Sequence, residues 1–389
     1  MRSLGQLAMF VAVMSAFTGL LHYYLWSRLV SAPALPEGLR RPLTVALVVL
    51  GAALPLGILL SNLLPRRLSG PIAFGVFTWM GLAALLFFAL LPGELVRLSA
   101  WVASKVGAAP DDARRTLLAR VLAGGAGALA FAGASVGLVN VARDVGLARV
   151  RVSLKRLPPE LSGLTIAQLT DVHIGPTLGR GWLERVVDTV NRARPDVVVI
   201  TGDLVDGSVE SLREHTAPLG RLEAKHGVFF VTGNHEYYSG ADEWIAELTR
   251  LGIKTLRNER VSIGEGSASF DLAGVDDWSA KRFGHGHGPN LAKALSGRDE
   301  AREVVLLAHQ PKQALEAASR GVGLVLSGHT HGGQLWPWTY LVRLDQPFIA
   351  GLSRLASTQI YVSRGTGYWG PPMRLAAPAE ITLLELEAG

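Results

Sequence analysis

In the stretch Leu164-Thr165-Ile166-Ala167-Gln168-Leu169-Thr170-Asp171-Val172-His173, Thr165 to Leu169 is an apolar run of strand length that ends abruptly in a polar cluster. Four further runs are built the same way. Val197 to Ile200 leads into Gly202-Asp203, and Val228 to Val231 leads into Gly233-Asn234-His235-Glu236. Val304 to Leu307 leads to His309, and Val322 to Leu326 to Gly328-His329-Thr330-His331. Between several of these runs lie helical candidates at Trp182 to Arg194, Ala241 to Leu251 and Gln313 to Arg320. Short buried strands alternating with amphipathic helices specify an α/β layered fold with a largely parallel core. Later strands expected at Ala268 to Ala273, Gln359 to Val362 and Ile381 to Leu386 add antiparallel pairing.

In open α/β sheets, ligands gather at the carboxyl ends of the strands, so the five clusters are expected to converge on one place. Taken singly, an Asp or Asn after a strand is what a turn or a helix cap uses. Caps, however, do not need several separate His-bearing strand ends. The i, i+2 spacing of Asp171 with His173, and of His329 with His331, aims two ligands at a shared point. Gly202, Gly233 and Gly328 suit a backbone that must turn sharply and approach an ion or a phosphate.

This ordered series, Asp-x-His, Gly-Asp, Gly-Asn-His-Glu, a lone His and Gly-His-Thr-His, resembles the complete motif set of the calcineurin-like metallophosphoesterases from Leu164 to the C-terminus. Gly332-Gly333-Gln334 and Tyr361-Val362-Ser363-Arg364-Gly365 resemble the membrane-associated bacterial phosphodiesterase branch of that family. The resemblance implies a four-layer α-β-β-α sandwich. It also implies that Asp171, His173 and His331 bind one metal ion, that Asn234, His309 and His329 bind another, and that Asp203 bridges them. His235, beside Asn234, is assigned to protonating the leaving oxygen or stabilising charge on the phosphoryl group. Carboxylate, imidazole and amide ligands suit Mn, Fe, Zn or Co without choosing among them. Two such ions, roughly 3.5 to 4 Å apart, acidify a water and clamp the phosphoryl oxygens.

Other polar residues have open readings. Arg364 is a candidate substrate-phosphate contact, with a structural salt bridge as the alternative. Asp276 and Asp277 either shape the site or solvate a loop, and His285 and His287 sit in a Gly-rich run that reads as a mobile surface loop.

Nearly everything before about residue 142 is apolar, Gly or Ala. Leu4 to Trp26, Leu43 to Leu64, Pro71 to Leu91 and Val121 to Asn140 each lack Asp, Glu, Lys and Arg. About 20 such residues cross the ~30 Å hydrocarbon core, so four transmembrane helices are expected. His22, within a Tyr and Trp cluster, reads as an interfacial residue. Gly93 to Thr116 is either a surface helix or a continuation of the third span. Val150, Val152 and Leu154 alternate with polar neighbours as a half-exposed strand. The expected organisation is a transmembrane region at 1–142, a linker with a leading strand at 143–163, and a metallophosphoesterase domain at 164–389.

The chain has no Cys, which excludes disulfides and thiolate metal sites. Its net charge of +6 suits anionic substrates or lipid. Lys and Arg are balanced across the loops, so they set no orientation. The segment from Arg143 to Arg156 favours an anionic cytoplasmic surface, and the expected location is a bacterial inner membrane with the catalytic half inside. The expected activity is that of a membrane-bound dimetal phosphoesterase of phosphodiesterase or pyrophosphatase type. A lipid or lipid-linked ester is a candidate substrate, because Trp336, Trp338, Tyr340, Phe348 and Trp369 either meet acyl chains or pack as hairpin core. No nucleic-acid partner is expected. The alternative is a transporter-like or scaffold protein with a non-catalytic metal domain; a transport pathway calls for ionisable residues inside the spans, which have essentially none.

Overall fold

The computed structural model describes residues 4–105, 111–284 and 286–389. The chain divides into a helical unit, Met1–Val139 with Gly370–Met373, and an α/β unit, Asn140–Trp369 with Arg374–Gly389.

The helical unit consists of α1 (Leu4–Trp26), α2 (Glu37–Leu63), α3 (Arg66–Lys105) and α4 (Asp112–Ala142). Three helical stretches among the described residues, not the four expected, are long and apolar enough to cross a membrane: Glu37–Ser61, Arg66–Lys105 and Asp112–Ala142. The expected first span does form a helix, α1, but part of its side chains lies outside the described residues. Helix α3 has 40 residues, about 60 Å at 1.5 Å per residue. Residues 93–105 are therefore a continuation of the third span rather than a separate surface helix. Just past the apolar part of α3, Glu94 pairs with Arg28 at 2.8 Å and Arg97 at 2.7 Å, and accepts a hydrogen bond from the Tyr24 hydroxyl. His22 is buried among the helices: its Nδ1–H donates to Thr18 O and its Nε2 accepts from the Trp79 indole at 3.0 Å. Both ring nitrogens are satisfied inside the helix packing, which removes the need for water.

The α/β unit runs β1 (Gly146–Leu154), β2 (Thr165–Leu169), α5 (Arg180–Ala193), β3 (Val197–Thr201), α6 (Val209–Thr216), β4 (Val228–Val231), α7 (Asn234–Ser239), α8 (Ala241–Arg250) and β5 (Lys254–Thr255). It continues through β6 (Glu259–Glu265), β7 (Ala268–Gly274), α9 (Leu291–Ala294), β8 (Val304–Leu307), α10 (Ala314–Ser319), β9 (Leu324–Ser327), β10 (Gly351–Leu355), β11 (Thr358–Val362) and β12 (Glu380–Ala388). One six-stranded sheet has the order β1-β12-β2-β3-β4-β5, the other β10-β11-β9-β8-β7-β6. Strands β2, β3 and β4 are mutually parallel, with Ile166 opposite Val197 and Val198 opposite Val228. Strands β7, β8 and β9 are parallel in the second sheet. Each of the three later strands has one antiparallel neighbour and one parallel one: β7 with β6 and β8, β11 with β10 and β9, β12 with β2 and β1.

Continuous Val and Ile runs mark strands covered on both faces. On one face Ile166, Val199 and Val231 of the first sheet join Leu272, Leu307 and Leu326 of the second in a single apolar cluster. On the other, Ala167, Val198 and Ile200 pack with Leu183, Val187 and Val190 of α5 and with Trp244 and Leu248 of α8. Those α5 positions recur at i, i+4 and i+7, which is why that segment is helical and faces the sheet. Full burial of each such Val or Leu stabilises the fold by roughly 1.5–3 kcal/mol. Ala314 and Ala317 of α10, and Leu291 and Ala294 of α9, pack with Val304, Leu306 and Val325 of the second sheet. The parallel strands are thereby held so that their polar termini emerge together.

Candidate metal centre

Among the described residues, those that follow β2, β3, β4, β8 and β9 form three groups of potential metal ligands, one of them His173 with Asp206 and His235. Asp171, His173 and His331 bring donor atoms within 4.8 Å of one another, and Asp203, His309 and His329 do the same. His173 Nε2 lies 3.1 Å from His331 Nε2, and His329 Nδ1 lies 3.2 Å from His309 Nε2. Asp203 Oδ2 reaches both groups, 3.1 Å from His309 Nε2 and 3.9 Å from His173 Nε2. Asn234 begins α7, and its Oδ1 is buried with no hydrogen-bond partner among the described residues. A buried amide oxygen left so costs about 1–3 kcal/mol unless something outside the protein engages it. All seven residues expected to ligate metal are thus gathered at these strand ends, and the donor set suits divalent cations.

The backbone is bent to reach this arrangement. Asp171, His173 and Asp203 have φ of 51°, 51° and 50°, and His329 and His331 have 70° and 51°. Left-handed backbone in non-glycine residues costs about 1–3 kcal/mol each and persists where surrounding structure over-determines it. Only Gly202 of the three expected glycines needs a positive φ, at 87°. Gly233 and Gly328 are required for room instead: a Cβ on Gly233 would overlap Asp203, and one on Gly328 would overlap Thr170 Oγ1 and Asp171 Oδ2.

The calcineurin-like phosphoesterase model matches residues 164–333. A "Transmembrane protein with metallophosphoesterase domain" of Danio rerio is 38% identical over 386 residues, covering 94% of this chain and 86% of that protein. The Bos taurus protein of the same name is 42% identical over 318 residues, covering 78% of this chain and 71% of that one. The chain belongs to the calcineurin-like metallophosphoesterases. An uncharacterized metallophosphoesterase of Helicobacter pylori is 43% identical over 248 residues, covering 62% of this chain and 65% of that protein. This metallophosphoesterase is a metal-dependent phosphoric ester hydrolase with relatives in animals, where they are named transmembrane proteins, as well as in bacteria.

In the metallophosphoesterase site, hydrogen bonds select ring tautomers. His173 Nδ1 lies 3.2 Å from both Asp206 carboxylate oxygens, which can only accept, so Nδ1 carries the proton and Nε2 points its lone pair inward. His309 Nδ1–H donates to Thr201 O at 2.8 Å. His331 is held differently, since Arg374 Nη2 donates to its Nδ1 at 3.2 Å. Burial, assisted by His173 and Arg374, pushes the His331 pKa well below its usual value. Burial and His309 lower His329 to about 3. Burial opposes the charged form of Asp203, but the imidazoles of His309, His235 and His173 outweigh it and hold that carboxyl well below the usual range. Burial raises Asp171, with His309 opposing.

His235 groups with His173 and Asp206, within 4.8 Å of their donor atoms. Its Nδ1–H donates to Asp206 Oδ1 at 2.5 Å, and its Nε2 lies 4.0 Å from Asp203 Oδ2. Burial works against the imidazolium, but Asp203 and Asp206 prevail and raise His235 to about 9. Asp206 therefore orients both His173 and His235. Sequence reasoning missed it, although a second carboxylate three residues after Asp203 was the available signal. Glu236 was likewise left without a role. Its carboxylate accepts the N–H groups of Asp203, Leu204 and Gly233, fixing the β3 and β4 loops against each other.

Arg374 had no sequence signal. It is fully buried, and its guanidinium donates to the carbonyls of Gly367, Arg364 and Ala377 as well as to His331. Arg364 itself forms a salt bridge with Glu380 at 2.9 Å. Asp276 and Asp277 are buried, which corrects the loop-solvation reading. Asp276 pairs with Arg257, while Asp277 accepts from Ser279 N and from Gln310, next to His309. His287 is packed rather than mobile: Arg257 contacts its Nδ1 at 2.8 Å and Tyr237 meets its ring. His285 lies outside the described residues. Of the five late aromatics, Phe348 packs against the second-sheet core, whereas Trp336, Trp338, Tyr340 and Trp369 are exposed.

Proposed function

We propose that this metallophosphoesterase is a membrane-bound dimetal enzyme that hydrolyses a phosphodiester or pyrophosphate. Asp171, His173 and His331 would hold one cation, Asn234, His309 and His329 the other, with Asp203 shared. The observation that carries the reading is Asn234 Oδ1, a buried oxygen without a hydrogen-bond partner among the described residues, beside imidazole nitrogens that approach one another to 3.1 Å (His173, His331) and 3.2 Å (His309, His329). The four-layer α-β-β-α sandwich belongs to the same proposal, supported by the apolar cluster shared between sheets and by helices on their other faces.

Bound cations of the Mn, Fe, Zn or Co type would supply an acidified water and neutralise phosphoryl charge. The protein does the rest. Asp206 holds the His235 ring by Nδ1, leaving Nε2–H to face the substrate. As water oxygen adds to phosphorus and the bond to the leaving oxygen breaks, His235 Nε2 delivers its proton to that oxygen. Arg364, engaged by Glu380, fits a structural role better than a substrate contact.

A bacterial inner membrane with the α/β unit on the cytoplasmic side is part of this reading. Arg151 lies near Glu385 and Glu387, and Arg156 is paired with Glu303, so Arg143, Arg149 and Lys155 carry the charge argument. A lipid-linked ester remains the proposed source of the substrate phosphate, supported by membrane-length helices in the same chain. The test is hydrolysis of bis-p-nitrophenyl phosphate and of a lipid extract by Mn-loaded full-length protein, with Asp203→Ala as control. Metal-dependent turnover lost in the variant is expected; turnover retained by Asp203→Ala would overturn the two-metal mechanism, and activity confined to soluble diesters would overturn the lipid part.

A further inference from the structure

His235 is flanked by two aromatic side chains that the hydrolytic mechanism does not use. Tyr238 lies with its ring centroid 5.5 Å from the His235 ring at an interplanar angle of 79°, and Trp369 lies at 5.6 Å and 73°. Both stay more than half exposed, at 56% and 54% of their surface. Large aromatics held at a polar site yet left open to water are an unsatisfied surface, because each can bury 150–250 Å² when covered.

These rings are also held in place. Tyr238 stands on α7 one turn beyond His235, so the two side chains share a helix face. Phe283 backs it edge-on at 5.5 Å. Trp369 lies far off in the sequence and is fixed through its backbone: Gln334 accepts its N–H at 3.0 Å and donates to its carbonyl at 2.9 Å. Gln334 adopts φ of 51° to do so, three residues past His331. The Gly332-Gly333-Gln334 segment thus ties the wall at Trp369 to the last ligand-bearing loop.

We propose that Tyr238 and Trp369 form a clamp that receives a flat aromatic ring on the leaving group of the substrate. The inference rests on the reading of His235 as proton donor to the leaving oxygen, since that role puts the leaving group beside His235. Two aromatic neighbours, each standing nearly perpendicular to the His235 ring, offer a third ring edge-to-face and stacked contacts that an alkyl chain cannot reproduce. The substrate class is therefore a phosphate ester or anhydride whose leaving part carries an aromatic or heteroaromatic ring near the phosphorus.

The test uses Mn-loaded full-length protein in detergent and three competitive inhibitors with one anionic head: methyl-, cyclohexyl- and phenylphosphonate. Phenylphosphonate is expected to bind about tenfold tighter than methylphosphonate, with cyclohexylphosphonate in between. In the Tyr238→Leu/Trp369→Leu double variant the phenyl advantage disappears while methylphosphonate affinity and metal content stay unchanged, which also shows that the variant is folded. Gln334→Ala, which only releases the Trp369 backbone, should lose part of the phenyl advantage. Equal wild-type affinity for phenyl and methyl, equal affinity for phenyl and cyclohexyl, or a phenyl advantage retained by the double variant would each overturn the clamp alone. Absence of any methylphosphonate binding to the wild type would overturn the metal-site reading and the clamp with it.

Discussion

Replacing Asp206 by Asn tests the coupling between the metal cluster and the proton donor. The carboxylate accepts Nδ1–H from His173 at 3.2 Å and from His235 at 2.5 Å. Burial disfavours its charge, but those two imidazoles hold its pKa far below the usual carboxylate range. An Asn of the same shape offers one acceptor oxygen and one NH2 group. It can satisfy one ring and must present donors to the other. That ring either loses its bond or turns over to the Nδ1-accepting tautomer, which puts the proton on Nε2. For His173 the consequence is a blocked metal-facing lone pair, for His235 the loss of its charged state. Two charge-assisted bonds worth about 1.5–3 kcal/mol each are replaced by one neutral bond of about 1 kcal/mol. Even the low end, about 2 kcal/mol, is a roughly 30-fold loss, and about 100-fold in kcat/KM is expected. The assay is bis-p-nitrophenyl phosphate hydrolysis at saturating Mn, with bound metal measured by mass spectrometry. A combined Asp206→Asn/His235→Ala variant should be little worse than His235→Ala alone, because one unit has been broken twice. Activity of Asp206→Asn within threefold of wild type, or full additivity in the double variant, would refute the reasoning.

Further outcomes follow from the same geometry. Asn234→Ala should lower bound metal from two ions per chain to about one, read by elemental analysis, because it removes the unpartnered Oδ1. Gly328→Ala drives a methyl group into Thr170 and Asp171, so a loss of about 1–3 kcal/mol of stability is expected, visible as a lower Tm together with reduced metal content. Chelation should abolish turnover and lower Tm, and added Mn should restore both; metal at 100 times its Kd contributes about 2.7 kcal/mol. Glu236→Gln should reduce kcat with full membrane insertion retained, since its carboxylate pins three N–H groups of the β3 and β4 loops.

Much of the α/β unit was legible from local pattern. Thr165–Leu169, Val228–Val231 and Val304–Leu307 are strands at the bounds the apolar runs predict, because doubly covered parallel strands must be apolar at every position. Short edge elements such as β5, β6 and β10 escaped, since their half-exposed, polar-rich sequences carry little periodicity. Helix α3 erased an expected distinction, because charged residues at Glu94 and Arg97 neutralise each other and let the helix run on.

The loops that carry the candidate ligands Asp171, His173, Asp203, Asn234, His309, His329 and His331 were legible in the sequence alone, since each follows an apolar strand and parallel strands within one sheet share a carboxyl end; that β2, β3 and β4 of one sheet meet β8 and β9 of the other was decided by the tertiary structure. Tertiary structure decided what those side chains meet. Asp206 became the shared acceptor of His173 and His235, and buried Arg374 came to rest against His331. Trp369 reached His235 across more than 130 residues, held by Gln334. The reason is physical. A strand and its terminal loop follow from covalent neighbours and burial period, whereas the partner of a hydrogen bond or ring contact depends on how distant segments are brought together, and no local pattern encodes that.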